Sequence, residues 1–497
     1  MFVTRLIRFL GRSDGSLQEK AARSAVWVGL SSFAGAGISF LKSIILARLL
    51  MPEVFGLMTI CSMIIQGIEI FTETGFTAAL IHRQQKFEEA KDTAFTIWVL
   101  RGFGLVVLGI LAAPWVATFY EQPVLTLVLS LVSLTFLINA FRNVNTIALQ
   151  KELDFKRLIY IEQSNIIFNL VIAVALAYWL RNVWALVYAQ LASALISVML
   201  SYLLVAGRPR FRFDITLAKE LFAYGKFMTG LAVVVYLTNQ LDNAIIGKII
   251  GMEALGYYTL AYTLANLPTT GVSKIAARVL FPMFSKLQND RQQLQEEYMR
   301  GLRLLIAIVV PITCVVVVLA DEIILTLYGA IWLPASTALE ILVVFGCFQT
   351  LWMLNGYLVN ALGKPKIDFY VNSTRLLLVL ILLYPFTVSM GIAGASLAIT
   401  IPMSIQFVVG LYLAKTIVGV TISQLLRPLL TALLQGLILV GIMMGLKSIP
   451  VFEVGSALRL ALLLAVAVTV VLFFNREDIM KQLRDHNIFV YPMRGTA

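Results

Sequence analysis

Two histidines and three cysteines in 497 residues leave little material for metal or nucleophile chemistry. His82 and His486 lie far apart in polar stretches, so neither a histidine metal site nor a Ser/His hydrolase centre can be assembled from them. Cys61, Cys314 and Cys347 fall inside apolar segments without paired spacing, which argues against a disulfide framework. No GxxxxGK[S/T] loop occurs, so ATP hydrolysis by this chain is not expected. Charge is scarce as well, at 13% of residues, and no cofactor or metal is called for.

Hydrocarbon takes the place of all this. The chain is 60% hydrophobic with a mean hydropathy of +0.88, more apolar surface than a water-soluble core could hide. The apolar runs are about 20 residues long and show no strand alternation, so they read as helices that pair their own backbone groups in lipid. The expected fold is an all-α integral membrane protein. A formal net charge of +12 could suggest nucleic acid, but the basic residues follow the connections between apolar runs, and no nucleic-acid partner is expected.

Two segments organise the sequence. Ile45 to Ile60 (ILARLLMPEVFGLMTI) and Ile245 to Leu260 (IIGKIIGMEALGYYTL) align without a gap at an offset of 200, keeping a base (Arg48, Lys248), an acid (Glu53, Glu253) and a glycine (Gly56, Gly256) in register. A second match sets Ala148-Leu149-Gln150-Lys151 with Asp154-Phe155 against Ala361-Leu362-Gly363-Lys364 with Asp368-Phe369, one residue out of step. The chain therefore reads as two copies of one membrane lobe.

Fourteen spans are predicted. Six (25–47, 54–80, 92–113, 124–148, 158–180, 183–206) form an N-terminal lobe, 25–206, and six more (222–247, 254–282, 303–320, 336–361, 367–390, 392–414) a C-terminal lobe, 222–414. Spans 427–446 and 454–474 form an extra pair within 415–474. Six spans per copy is an even number, so a pseudo-two-fold axis along the membrane normal should relate the lobes. Residues 1–24 read as a cytosolic amphipathic segment without a cleavage site, in which Ser16 and Glu19 have capping-box spacing; 207–221 reads as a cytosolic linker and 475–497 as a cytosolic tail.

One alternate set of connections holds almost all the loop Lys and Arg, while the other holds only Arg48, Arg181, Lys248 and Lys447. Basic connections stay inside, which puts both termini in the cytosol. Trp115, Trp179, Trp184 and Trp332 fall at predicted outer ends, as an interfacial belt requires.

The segments FGLMTI (55–60), ALQKELDF (148–155), RVLFPMFSKLQND (278–290) and LYGAIW (327–332), in that order on fourteen spans, resemble the polysaccharide transport family of repeat-unit flippases, within the superfamily of multidrug, oligosaccharidyl-lipid and polysaccharide exporters. The resemblance covers nearly the whole chain. It implies two six-helix lobes around a central cavity in a bacterial inner membrane. It also implies alternating-access movement of an undecaprenyl-pyrophosphate-linked oligosaccharide from cytosolic to periplasmic leaflet, in exopolysaccharide or lipopolysaccharide assembly beside a polymerase and export machinery. It assigns no substrate residue by motif.

Charges inside spans cost several kcal/mol unless they face protein or water, so they are the functional candidates. Lys42 and Asp242 occupy repeat-equivalent positions near the outer ends of spans 1 and 7 and would close an outer gate. Glu69 and Glu73 in span 2 would meet Lys274 and Arg278 in span 8 as an inner gate, each pair one turn apart on its helix. The alternative is that Lys42 and Arg278 reach to headgroups while the acids pair within their own lobes. Arg101, Arg142, Lys226 and Arg375 would line the cavity and grip a pyrophosphate or an acidic sugar. Their alternative is pairing with Glu162 or capping helix ends. Pro268 to Gly271 breaks span 8, with Gly67 at the matching level of span 2; this marks either a moving helix or a packed kink. Asp242, with Asn239 and Asn243, could bind a coupling proton or Na⁺, while the membrane potential supplies about 2.3 kcal/mol per charge per 100 mV.

Two other readings compete. A multidrug cation antiporter fits poorly with a cationic interior. A membrane glycosyltransferase or polymerase would need large outer loops, and these are short, with only Asp321 and Glu322 prominent. If the inner gate is right, Glu73→Lys and Lys274→Glu should each abolish polymer export and the double reversal should restore part of it; a double variant as dead as the singles removes that gate.

Overall fold

The computed structural model describes residues 17–72, 87–151, 155–215, 229–448, 460, 462–466 and 469. Among the described residues every regular element is helical: α1 (Leu17–Leu49), α2 (Pro52–Thr72), α3 (Phe87–Phe119), α4 (Val124–Ala140), α5 (Phe155–Leu180), α6 (Trp184–Leu204), α7 (Thr229–Ile249), α8 (Met252–Ala265), α9 (Leu267–Lys286), α10 (Arg291–Leu327), α11 (Ser336–Ala361), α12 (Pro365–Val418) and α13 (Ile422–Lys447). A six-residue helix, Thr146–Lys151, follows α4, and a 3₁₀ turn, Ala330–Ala335, precedes α11. Nine helical segments here are long and apolar enough to cross a membrane.

Local sequence sets where helices begin and stop. Pro52, Pro268 and Pro365 sit in first turns, where a missing N–H costs nothing. Asp290 caps α10 by accepting the Gln293 N–H at 3.0 Å, and Thr421 with Gln424 forms a reciprocal capping box on α13. Gly419 ends α12 at φ +84°, a conformation that side chains with a Cβ resist.

Two details depart from the sequence reading, the end of span 4 and the place of Trp332, and two others refine it. The helix of span 4 stops at Ala140, because Asn143 turns the chain by accepting the Asn145 N–H and side-chain amide, each at 3.0 Å. Span 8 is interrupted, as the sequence reading has it, but the break falls at Asn266, and Pro268 sits in the first turn of α9. The boundary between spans 11 and 12, read at residue 391, coincides with a kink in α12 at Gly391, whose φ of 61° and ψ of −138° leave the helical region. Trp115 and Trp179 are exposed as a belt residue should be, but Trp332 is fully buried beside Tyr328 and belongs to the core.

The chain divides into two compact units, one of residues 1–259 and 372–395, the other of 260–371 and 396–497. In the first, α1 packs on α5, α5 on α6, α3 on α4 and α2 on α7. Small residues let these helices approach closely, as with Gly102 against Ala140 and Gly109 against Ser133. Two of the tightest approaches fall inside the repeat. A methyl group at Gly56 would overlap the Met252 carbonyl, one at Gly256 would overlap the Pro52 carbonyl, and the Thr59 and Thr259 hydroxyls share a hydrogen bond of 3.1 Å. The first turns of α2 and α8 thus cross reciprocally, glycine of each copy on backbone of the other. In the second unit, Phe284, Tyr298, Leu302, Leu354 and Phe407 centre a core built by α9, α10, α11 and the end of α12, with the buried Tyr298 hydroxyl donating to Asn355 at 3.0 Å.

Gly56→Ala and Gly256→Ala should each cost about 1–3 kcal/mol from overpacking, seen as a lower melting temperature of the purified protein. Gly441→Ala, a position with open space around it, should leave the melting temperature unchanged or raise it.

Candidate functional site

Below the glycine crossing, α2 and α7 run antiparallel within the first unit and carry a ladder of polar side chains. The Tyr236 hydroxyl donates to the Met63 carbonyl at 2.5 Å and fills the space left by Gly67, while Gln240 reaches Gln66 at 3.3 Å. Asn243 donates to Gln240 at 2.8 Å, extending the ladder along α7.

Asp242 lies at the head of this ladder and is 2% exposed. Its Oδ2 accepts the Tyr258 hydroxyl of α8 at 2.6 Å and its Oδ1 accepts the Asn243 N–H at 2.9 Å. Arg375, itself 8% exposed, supplies the positive charge that acts on this carboxylate. A buried carboxylate persists only where hydrogen bonds and a counter-charge replace water, and Tyr258 and Arg375 provide both. Among the described residues no group of three or more His, Cys, Asp or Glu could hold a metal ion.

The candidates of the sequence reading are distributed as follows. Asp242 meets Tyr258, a contact the spacing did not suggest, and Arg375 is buried and acts on the same carboxylate by its charge. Lys42 donates instead to Asn169 of α5, and no ion pair joins it to Asp242. Arg101 projects from α3 to the end of α2, where its Nη2 donates to the Glu69 carbonyl at 3.0 Å and the Thr72 hydroxyl at 3.1 Å. That is the helix-capping alternative given above. Arg142 follows the end of α4 with the Glu162 carboxylate as its electrostatic neighbour. Asn239 shares α7 with Asp242. Gly271 lies within α9 and Pro268 at its start. Glu73 and Lys226 lie outside the described residues, as do the side chains of Lys274 and Arg278.

At the α3–α4 turn, Lys248 closes a second contact with α7. Its Nζ meets Glu121 at 2.7 Å and lies 5.3 Å from the Phe119 ring centroid. The hydrogen bond and charge of Lys248 hold the Glu121 carboxyl below its ordinary value, so this tie is present at neutral pH and loosens as the pH falls through that lowered value.

Tyr258, Gln66, Gln240 and Tyr236 did not stand out in the sequence. A signal existed for Tyr258: the second copy departs from the first there, with a phenol where the first has Met58.

A profile of the polysaccharide biosynthesis protein family matches residues 45–337, more than half of the chain and both copies of the repeat. The chain belongs to that family. The family is one of membrane transporters and flippases of polysaccharide biosynthesis, not of enzymes. Among curated relatives, the teichuronic acid biosynthesis protein TuaB of Bacillus subtilis is 27% identical over 82% of this chain and 84% of its own. The lipopolysaccharide biosynthesis protein WzxC of Escherichia coli is 25% identical over 72% and 73%. The succinoglycan biosynthesis transport protein ExoT of Rhizobium meliloti is 27% identical over 64% and 65%. In fold, the chain is similar to the lipid II flippase MurJ in an inward closed conformation, with a TM-score of 0.73 at 15% identity over 91% of this chain and all of the other. An inward-facing multidrug resistance MATE transporter gives 0.62 at 14% identity over 83% and 97%. The family member described here is accordingly an all-helical, multi-pass membrane protein.

Arg375→Gln should lower thermal stability by more than Tyr258→Phe, whose lost bond to a charged group is worth about 1.5–3 kcal/mol. Adding Asp242→Asn to Arg375→Gln should restore part of the loss, measured as melting temperature in detergent.

Proposed function

We propose that this protein is a flippase that moves an undecaprenyl-pyrophosphate-linked oligosaccharide repeat unit from the cytosolic to the periplasmic leaflet of a bacterial inner membrane. The observation that carries the reading is the buried Asp242–Tyr258 hydrogen bond beside a reciprocal contact of two repeat copies, with Arg375 a second buried charge of the same unit. Ionised groups fixed at such a place in an apolar chain are costly unless a transport cycle uses them. Relatives named for the synthesis or transport of three different polysaccharides support a shared polar-lipid substrate class over one particular sugar.

In this reading the chain has fourteen spans with both termini in the cytosol. Lobes 25–206 and 222–414 are related by a pseudo-two-fold axis along the membrane normal, and 415–474 is an added pair. The lobes rock about the crossing at Gly56 and Gly256, so that the lipid tail stays in the bilayer while its polar head crosses. Arg101, Arg142, Lys226 and Arg375 balance the pyrophosphate or acidic sugars in the cavity. Glu69 and Glu73 with Lys274 and Arg278 close the inside, and Lys42 and Asp242 part or approach on the outside. Asp242, flanked by Asn239 and Asn243, carries the coupling ion.

Cells lacking the protein should accumulate undecaprenyl-linked repeat units facing the cytosol, scored by their resistance to a glycan-cleaving enzyme added to intact spheroplasts. Units facing outward would instead indicate a polymerase, and intact polymer would indicate a pump for other solutes.

A further inference from the structure

Beyond transport itself, the chain that leaves α6 has a conformation the function above does not use. Residues 205–214 form no regular element, yet their backbone is tied down at several points. Asn143, buried beyond α4, donates its side-chain amide to the carbonyls of Val205 at 3.3 Å and Gly207 at 3.0 Å. Gly207 then turns at φ +89°, close against Asn145. Further on, the Arg210 N–H donates to the Asp92 carboxylate at 3.0 Å, and Arg212 both donates its N–H to the Thr96 hydroxyl at 3.0 Å and accepts from it at 2.9 Å. Asp92 and Thr96 are one turn apart on α3, so the strap is laid along the first turns of that helix.

The side chains of the strap do the opposite of its backbone. Arg208, Arg210 and Arg212 are exposed, and no ion pair or hydrogen bond engages their guanidinium groups among the described residues. They alternate with Pro209, Phe211 and Phe213, and the two phenylalanines are 67% and 54% exposed although Phe211 touches Phe95 at 5.3 Å between ring centroids. The Asp92 carboxylate accepts from the Arg210 amide rather than from a guanidinium, and Asp214 follows the three arginines at the end of the strap. Lys156 and Arg157, exposed at the start of α5, add positive charge near the same ends of the helices. The strap leaves the last turn of an apolar helix and lies on the first turns of another, which is the level of the headgroups.

We propose that residues 208–213 are a binding site for anionic phospholipid headgroups, with the three arginines on the phosphates and Phe211 and Phe213 dipping into the interface. Fixed backbone lowers the ordering cost of binding, and guanidinium groups match phosphate oxygens in pairs. Aromatic rings between them suit the boundary of water and acyl chains. Such a site requires only that this end of the helices lies at a membrane surface, on whichever side.

The test uses the full-length protein in phosphatidylcholine nanodiscs with a trace of fluorescent phosphatidylglycerol, compared with Arg208→Gln/Arg210→Gln/Arg212→Gln. The wild type should enrich the anionic lipid, the triple variant should lose about tenfold or more of that preference, and high salt should erase it for the wild type. A triple Arg→Lys variant, which keeps the charge, should retain most of it and shows that the fold tolerates change here. An unaltered preference in the glutamine variant overturns the proposal. So does a wild type that prefers undecaprenyl pyrophosphate at the strap over phosphatidylglycerol, which would assign these arginines to the transported lipid instead.

Discussion

Backbone meets backbone where α2 and α8 begin, and only hydrogen at Cα permits it. Gly56 lies on the Met252 carbonyl and Gly256 on the Pro52 carbonyl, so the two copies of one sequence hold each other by their least compressible parts. In lipid there is no hydrophobic force to draw helices together, and packing at this distance is what remains. The rest of the first unit takes its register from that point: Gly247 falls against Ile60, Tyr236 against Met63 and Gly67, and Gln240 against Gln66. Asp242 is buried because the two helices are brought this close.

The charges of the chain then separate into two kinds. Those at helix ends and turns have ordinary structural partners: Arg101 on the end of α2, Lys248 on Glu121, Lys447 on Glu322 at 2.9 Å. Asp242 and Arg375 belong to the other kind, far from any helix end that would explain them and nearly closed to solvent. An apolar pair of equal volume would fill the same space at lower desolvation cost, so their retention needs a reason outside stability.

Much of the architecture was legible in the sequence. Apolar run length and turn residues placed the helices to within a few positions, because lipid leaves the backbone no alternative to intrahelical bonding. The aligned copies located Gly56 and Gly256 before any coordinates, although alignment could not tell that the two glycines face each other's backbones. The misses have specific causes. Hydropathy cannot see that Trp332 is turned inward by the 3₁₀ turn after Gly329. Lys42 and Asp242 are equivalent by repeat, which fixes depth and leaves azimuth free, and in this structure their side chains bond Asn169 and Tyr258. Asn143 and Asn145 went unnoticed because two buried asparagines in a short apolar stretch look like an ordinary loop.

A contact between twins has no built-in sense of direction. Thr59 bonded to Thr259 is the same seen from either partner, and a chain made only of such contacts would turn equally well both ways. Vectorial work must come from the sites where the duplicates have drifted apart, and in the first unit these lie within a few turns of the crossing: lysine against aspartate at 42 and 242, methionine against tyrosine at 58 and 258. On the reading proposed above, the symmetric part would be the bearing and the drifted side chains the ratchet.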